Sequence, residues 1–247
     1  MSGPSYRVPY RRRRKGKTDF HARRALVLSR IPRLVARGSL RYMMVQIVEA
    51  QPQGDKIIAS AYSRELNKTY DWRGCSGNLP SAYLTGFLCG LRAAAKGVKK
   101  AILDIGLHPP TKGSRIFAAL KGVIDAGVEV PCDKEKLPDD KRIMGQHIAD
   151  YAKQLASSEQ ETYQNQFSRY LTEKLPPEEL PEHFSQVKEK IEESFKPSAE
   201  KKEKPKVKKA EKEVPEKAKP KKVRAKAKAK AKPKTAKKPR KAKEKKE

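Results

Sequence analysis

Ala101-Ile-Leu-Asp-Ile-Gly-Leu107, followed by His108-Pro-Pro-Thr-Lys-Gly113 and Ser114-Arg-Ile-Phe-Ala-Ala-Leu-Lys-Gly-Val-Ile-Asp-Ala126, is the stretch from which the fold is read. A short apolar run rich in branched residues and closed by Gly106 predicts a strand buried on both faces, lying centrally in its sheet. Pro109, Pro110 and Gly113 interrupt regular structure. Ser114 then stands as a helix N-cap, with Phe117, Leu120 and Ile124 at helical spacing and Gly127 as the C′ residue. The pattern is half of a βαβ-like unit whose loop turns Lys112 outward. A nucleotide-hydrolysing P-loop does not fit: Thr111 and Gly113 replace the second glycine and the hydroxyl residue, and the two prolines remove N–H donors from the cradle. A weaker phosphate contact from Lys112 and Arg115 at the helix N-terminus survives, against the plainer reading of a solvated loop.

Upstream, Gly77-Asn78-Leu-Pro80-Ser81 introduces a helix with a polar cap and a first-turn proline. Tyr83, Phe87 and Leu91 form one row, with Leu84 and Leu88 beside it. Gly86 and Gly90 each cost about 1 kcal/mol inside a helix, so a strand or an RNA must approach the backbone there. Residues 40–50 and 56–62 read as two strands of a hairpin about Pro52-Gln-Gly-Asp55. The segment from Ser63 to Gly77 is polar and turn-rich, and Trp72 is read as a loop anchor in preference to a base-stacking platform. With Val128-Glu-Val130 as a last strand, the order is hairpin, helix, strand, helix, strand, an α/β domain. Downstream, 137–156 and 159–195 read as helices broken by prolines. Their apolar stripes, among them Phe184, Val187, Ile191 and Phe195, are to pack on the domain or on a neighbouring protein.

Charge divides the chain. The net +29 is distributed as +12 over residues 1–41, −1 over 42–195 and +18 over 196–247. The neutral body, about 150 residues, suffices for one core without staples. Cys75, Cys89 and Cys132 are odd in number and lack metal-ligand spacing, which fits a reduced setting and no cofactor. With no apolar span and no secretory h-region, neither export nor membrane insertion is expected. The domains are drawn at 1–39 (basic arm and short helix), 40–132 (α/β core), 133–195 (helical extension) and 196–247 (a disordered Lys/Ala/Pro tail suited to diffuse phosphate neutralisation).

The arm, Tyr6-Arg-Val-Pro-Tyr-Arg-Arg-Arg-Arg-Lys-Gly-Lys17 and a helix from Asp19 to Arg30, contains far more arginine than lysine. A planar guanidinium grips phosphate in bidentate fashion and stacks on bases, which points to nucleic acid; a membrane patch would need a broad apolar helix face that is missing here. Arg7, Arg11, Arg12, Arg13, Arg14, Lys15, Lys17, Arg23 and Arg24 are the expected phosphate and groove contacts, with Tyr6, Tyr10 and Phe20 for stacking. Arg30, Arg33, Arg37, Arg73, Lys112 and Arg115 are second-rank candidates.

Three of these stretches carry a resemblance: Tyr6 to Arg14, Gly77-Asn-Leu-Pro-Ser-Ala-Tyr-Leu-Thr-Gly86, and above all 101–107 with Gly113 to Gly122 and Asp125-Ala-Gly127. They resemble the universal large-subunit ribosomal protein eighteen family, of the archaeal and eukaryotic type that binds 5S ribosomal RNA. The likeness runs from about residue 5 to 155, and Gln166-Phe-Ser-Arg-Tyr170 with the helical segment after it looks like the eukaryotic C-terminal extension. It implies a ribonuclease-H-like mixed sheet flanked by helices, no catalysis and no small-molecule substrate, an arm that clamps 5S rRNA, and a place in the central protuberance of the cytoplasmic ribosome. The implied partners are 5S rRNA, large-subunit rRNA and neighbouring large-subunit proteins. Two alternatives come from other classes. A ribonuclease-H-type enzyme would want several converging carboxylates, whereas Asp104 is the only acid on its strand and the hairpin adds only Glu49 and Asp55. A Lys-rich nucleic-acid packing protein is suggested by the tail.

Overall fold

In the computed structural model, which describes residues 7–195, two short basic helices come first, α1 (Arg11–Arg14) and α2 (Phe20–Leu28). Tyr6 and the tail from 196 to 247 lie outside the described residues. Three strands follow, β1 (Arg33–Gly38), β2 (Met43–Glu49) and β3 (Lys56–Tyr62). After them come α3 (Ser63–Thr69), α4 (Leu79–Ala94), β4 (Ile102–Asp104) and α5 (Arg115–Asp125). The chain continues through α6 (Asp140–Met144), α7 (Gln146–Ser158), α8 (Gln160–Thr172) and α9 (Leu180–Phe195).

The sheet runs β3-β2-β1-β4, antiparallel from β3 to β1 and parallel between β1 and β4. This is the mixed sheet flanked by helices that the sequence implied. Side chains alternate across it. Leu34, Ala36, Met43, Val45, Ile47, Ala59 and Ala61 are buried on the face that α4 and α5 cover. Arg33, Val35 and Arg37 point to the other.

Three expectations for the sheet need correction. Residues 33–38, counted with the arm, form β1, an interior strand. The run at 101–107 supplies only the three residues of β4, at the sheet's edge and not its centre. Val128-Glu-Val130 adds no full strand, only one parallel bridge between Lys100 and Glu129, before Pro131 ends the pairing. The segment from Ser63 to Gly77 starts with a helix over Ser63–Thr69 and is turn and irregular structure only from Tyr70 on. Glu65 reaches back to the backbone N–H of Tyr62 at 3.2 Å and starts α3.

α4 begins as expected, with Asn78 Oδ1 accepting from the Ser81 N–H at 3.0 Å. All but three of its sixteen residues are buried, because the sheet, α5 and α9 surround it. What comes close to its glycines is neither a strand nor RNA but α5. A Cβ on Gly86 would sit 2.0 Å from the Ala119 carbonyl oxygen, and one on Gly122 would sit 2.3 Å from that of Tyr83. The two helices touch backbone to backbone.

The C-terminal helices share this core. Leu180, Phe184, Val187 and Ile191 of α9 are buried, and the Phe184 ring lies 5.6 Å from that of Tyr83. Trp72 is an anchor: it is buried, and its ring stacks on His183 at 5.2 Å. His183 Nε2 accepts the Arg73 backbone N–H at 3.1 Å. Burial, then the Arg73 cation, holds this imidazole below its ordinary pKa.

Two measurements test this packing. Gly86→Ala would gain about 1 kcal/mol from helix propensity alone. The contact with Ala119 reverses the sign, and urea unfolding should show a loss of about 1–3 kcal/mol or more. For His183, the unfolded imidazole takes up its proton near pH 6.5 and the folded one only lower, so stability is full above ~6.5 and falls as the pH drops through the folded pKa. The fall in denaturation midpoint between pH 7 and about 5.5 should be smaller in His183→Gln.

Candidate nucleic-acid interface

The arm is exposed because almost nothing in it can be buried. Residues 10–14 close a single helical turn, Arg14 N–H to the Tyr10 carbonyl at 3.0 Å, and α1 has no buried residue. Tyr10 is 84% exposed. Asp19 starts α2 by accepting the N–H groups of His21 and Ala22 at 2.9 and 3.1 Å. Its carboxylate is used on the backbone and pairs with no arginine among the described residues.

Among the described residues, no carboxylate pairs with Arg7, Arg11, Arg12, Arg13, Arg14, Lys15, Lys17, Arg24 or Arg30; Arg12 Nε instead donates to Thr18 Oγ1 at 2.8 Å. Phe20, at the start of α2, is 38% exposed. Beneath the arm lies a cleft of about 700 Å³ on the sheet face opposite α4. Arg12, Lys17 and Arg23 stand at its arm side, and Val35, Ile57 and Leu103 are on the sheet side.

The second-rank cations are placed differently. Arg33 is only 2% exposed, and its two terminal nitrogens bind Asp104 Oδ2 and Asp55 Oδ2, each at 2.8 Å. It is corrected from RNA contact to buried ion-pair residue. Arg37 is likewise spent inward, on Asp104 Oδ1 at 2.8 Å and on the Asp104 and Ala36 carbonyls at 2.6 and 2.9 Å. Gly106, at φ +66°, makes room for it, since a Cβ there would come within 2.9 Å of the guanidinium. Arg115 acts as a structural clamp, its Nη1 donating to the carbonyls of Ser39 and Gly77 at 3.0 and 2.8 Å. Lys112 stays exposed but faces Glu135 at 3.3 Å, and Arg73 pairs with Asp71 at 3.2 Å. The corner before α5 is therefore not a free cationic cradle.

Sequence reasoning passed over two residues. Arg41 is exposed in the β1–β2 loop, with no carboxylate partner among the described residues. Asp55 joins Arg23 (Oδ1, 2.7 Å) to Arg33. Burial alone would raise the Asp55 carboxyl, but hydrogen bonds from Arg23 and Arg33 outweigh it and hold its pKa below the usual value. The signal was present, an acid in a hairpin turn beside a basic arm, but its partners are distant in sequence.

An α/β domain with a neutralised core and an un-neutralised arginine arm defines a polyanion-binding protein of the nucleic-acid class. The comparisons narrow this class. The family model for ribosomal large subunit proteins 60S L5 and 50S L18 matches residues 4–100 and 94–133. The chain is 55% identical over 198 residues to the large ribosomal subunit protein uL18 of Aeropyrum pernix, covering 80% of this chain and 92% of that one. It is 50% identical over 202 residues to that of Caldivirga maquilingensis, covering 82% and 98%. The chain belongs to this family, and with it to the structural proteins of the large ribosomal subunit.

The two kinds of arginine separate in stability measurements. Arg33→Met, which takes one of two guanidinium partners from each of Asp104 and Asp55 and leaves them Arg37 and Arg23, should cost about 1–3 kcal/mol in urea unfolding. Arg13→Ala should stay within about 0.5 kcal/mol of wild type.

Proposed function

We propose that the protein binds 5S rRNA through its N-terminal arm and helps fix it in the central protuberance of the large subunit. Its domain and C-terminal helices would contact large-subunit rRNA and neighbouring proteins on the cytoplasmic ribosome. The observation that carries this reading is the split among the cations. Arg7, Arg11, Arg12, Arg13, Arg14, Lys15, Lys17 and Arg24 have no carboxylate partner among the described residues, whereas Arg33 and Arg37 are bound to acids. Desolvated against a phosphate backbone, the unpaired group releases counterions and gains affinity that acids within the protein do not offset. Tyr10, Phe20 and Tyr6 stand among these cations in sequence as stacking groups. The choice of 5S rRNA rests on the resemblance of the arm and of the 77–86 and 101–127 motifs.

The family's structural role leaves no reaction to assign. Asp104, the carboxylate of the 101–107 run on which an enzyme reading centred, has Arg33, Arg37 and the Gly106 N–H on its two oxygens and is not poised as a general base. The packing-protein alternative drew on residues 196–247, outside the described residues.

Binding of 5S rRNA should fall steeply with salt, the log–log slope flattening by roughly 0.7–0.9 for each phosphate contact removed. Replacing Arg11 to Arg14 together by alanine should lower both affinity and slope. Replacing them by lysine should keep most of the slope while losing affinity, because the bidentate fork is gone. A slope unchanged by the alanine variant, measured by filter binding between about 50 and 200 mM salt, would overturn the assignment.

A further inference from the structure

Asp55 ends the turn between β2 and β3, and its two oxygens serve arginines of different standing. Oδ2 is fixed to Arg33, a buried side chain whose other nitrogen is tied to Asp104 on β4. The carboxylate is thus anchored to the sheet. Oδ1 accepts from Arg23 on α2 at 2.7 Å. α2 has no buried residue, and among the described residues the Arg23–Asp55 pair is the only side-chain hydrogen bond joining residues 20–28 to anything beyond the flanking Asp19 and Ser29. We infer that Asp55 is a positioning residue for RNA binding, holding α2 and the cations beside it in a preset orientation over the open sheet face.

This inference rests on the reading of the arm as an RNA ligand. It runs against simple charge counting. A carboxylate among cations that meet a polyanion repels the ligand, so its removal alone should tighten binding. A helix that must otherwise be ordered when RNA arrives binds more weakly, because the ordering cost is met at that moment. The two effects have opposite signs.

The test is Asp55→Asn in the full chain, with Asp55→Glu as the conservative control and a chain lacking residues 1–17 as reference. Asparagine keeps an acceptor for Arg33, which also retains Asp104. Affinity for 5S rRNA should weaken about three- to tenfold in Asp55→Asn. Asp55→Glu should restore it. In the free protein, amide hydrogen exchange should accelerate across 20–28 and stay unchanged in β1 to β3. Binding as tight as wild type or tighter in Asp55→Asn, with binding lost on truncation, overturns the positioning role alone. Acceleration spread through β1 to β3 marks a merely structural carboxylate and overturns it too. Truncation without effect on affinity brings down the reading of the arm, and this inference with it.

Discussion

A guanidinium buried between two carboxylates is the constraint on which the functional face depends. Arg33 leaves water almost completely, and an unpaired charge so placed would cost several kcal/mol. The fold answers with acids from two other elements, Asp104 of β4 and Asp55 of the hairpin turn. The β1–β4 register makes this geometry available. Val35 lies opposite Asp104, which sets that carboxylate between Arg33 and Arg37 on one face. The match is complete neither in charge, since Arg23, Arg33 and Arg37 share two carboxylates, nor in hydrogen bonds, since among the described residues Arg33 Nε has no partner. A buried N–H left unpaired costs about 1–3 kcal/mol, so the cluster specifies how β4, the turn and β1 meet more than it adds to stability.

The opposite face of the sheet is built on another principle. There the strands present Leu34, Ala36, Val45 and Ile47 to an apolar layer, and specificity comes from shape. Gly86 and Gly122 let α4 and α5 approach until a single methyl group would collide with a carbonyl. A helix buried on nearly every side can then lie between the sheet and the C-terminal helices. Because Tyr83 reaches Asp125 at 2.7 Å and Phe184 at 5.6 Å between ring centres, the same α4 surface orders both α5 and α9. One face is satisfied by packing and turned inward. The other is satisfied by ion pairs and stays open beneath the arm.

What could be read from the sequence follows this division. The apolar side was legible because its signals are local: the cap at Asn78, the row Tyr83-Phe87, the glycines marking a close approach, the tryptophan in a turn. Only the identity of the approaching element was hidden, since Gly122 belongs to a helix thirty-six residues beyond Gly86. The ionic side was not legible. Arg33 and Arg37 read as more of a basic arm because the acids of Arg33 lie 22 and 71 positions away and that of Arg37 lies 67 away, and nothing nearby announces that they will be neutralised. The same blindness placed β4 at the sheet's centre: a short run such as Ala101 to Ile105 looks alike whether strands lie on both sides or a single Lys100–Glu129 bridge stands at one edge. Arg115 misled for a related reason. A cation at a helix start suggests an anion, yet its Nη1 is bound to the carbonyls of Ser39 and Gly77.

Counting basic residues therefore overstates what a polyanion meets in this domain, and the correction is physical. A guanidinium already paired to a carboxylate carries little net field and would have to lose that partner before gripping a phosphate. The cations that keep their full field are those whose neighbours in sequence are also cations, so that the chain has no acid to fold onto them. Arg11 to Arg14 meet that condition by composition alone, in a segment with too little apolar surface to be buried. Arg23 stands at the border, on the arm but held to the domain by Asp55. The neutral body thus need not repel or attract RNA strongly. Its acids are spent on its own arginines, and the attraction is concentrated on a segment that contributes almost nothing to the core.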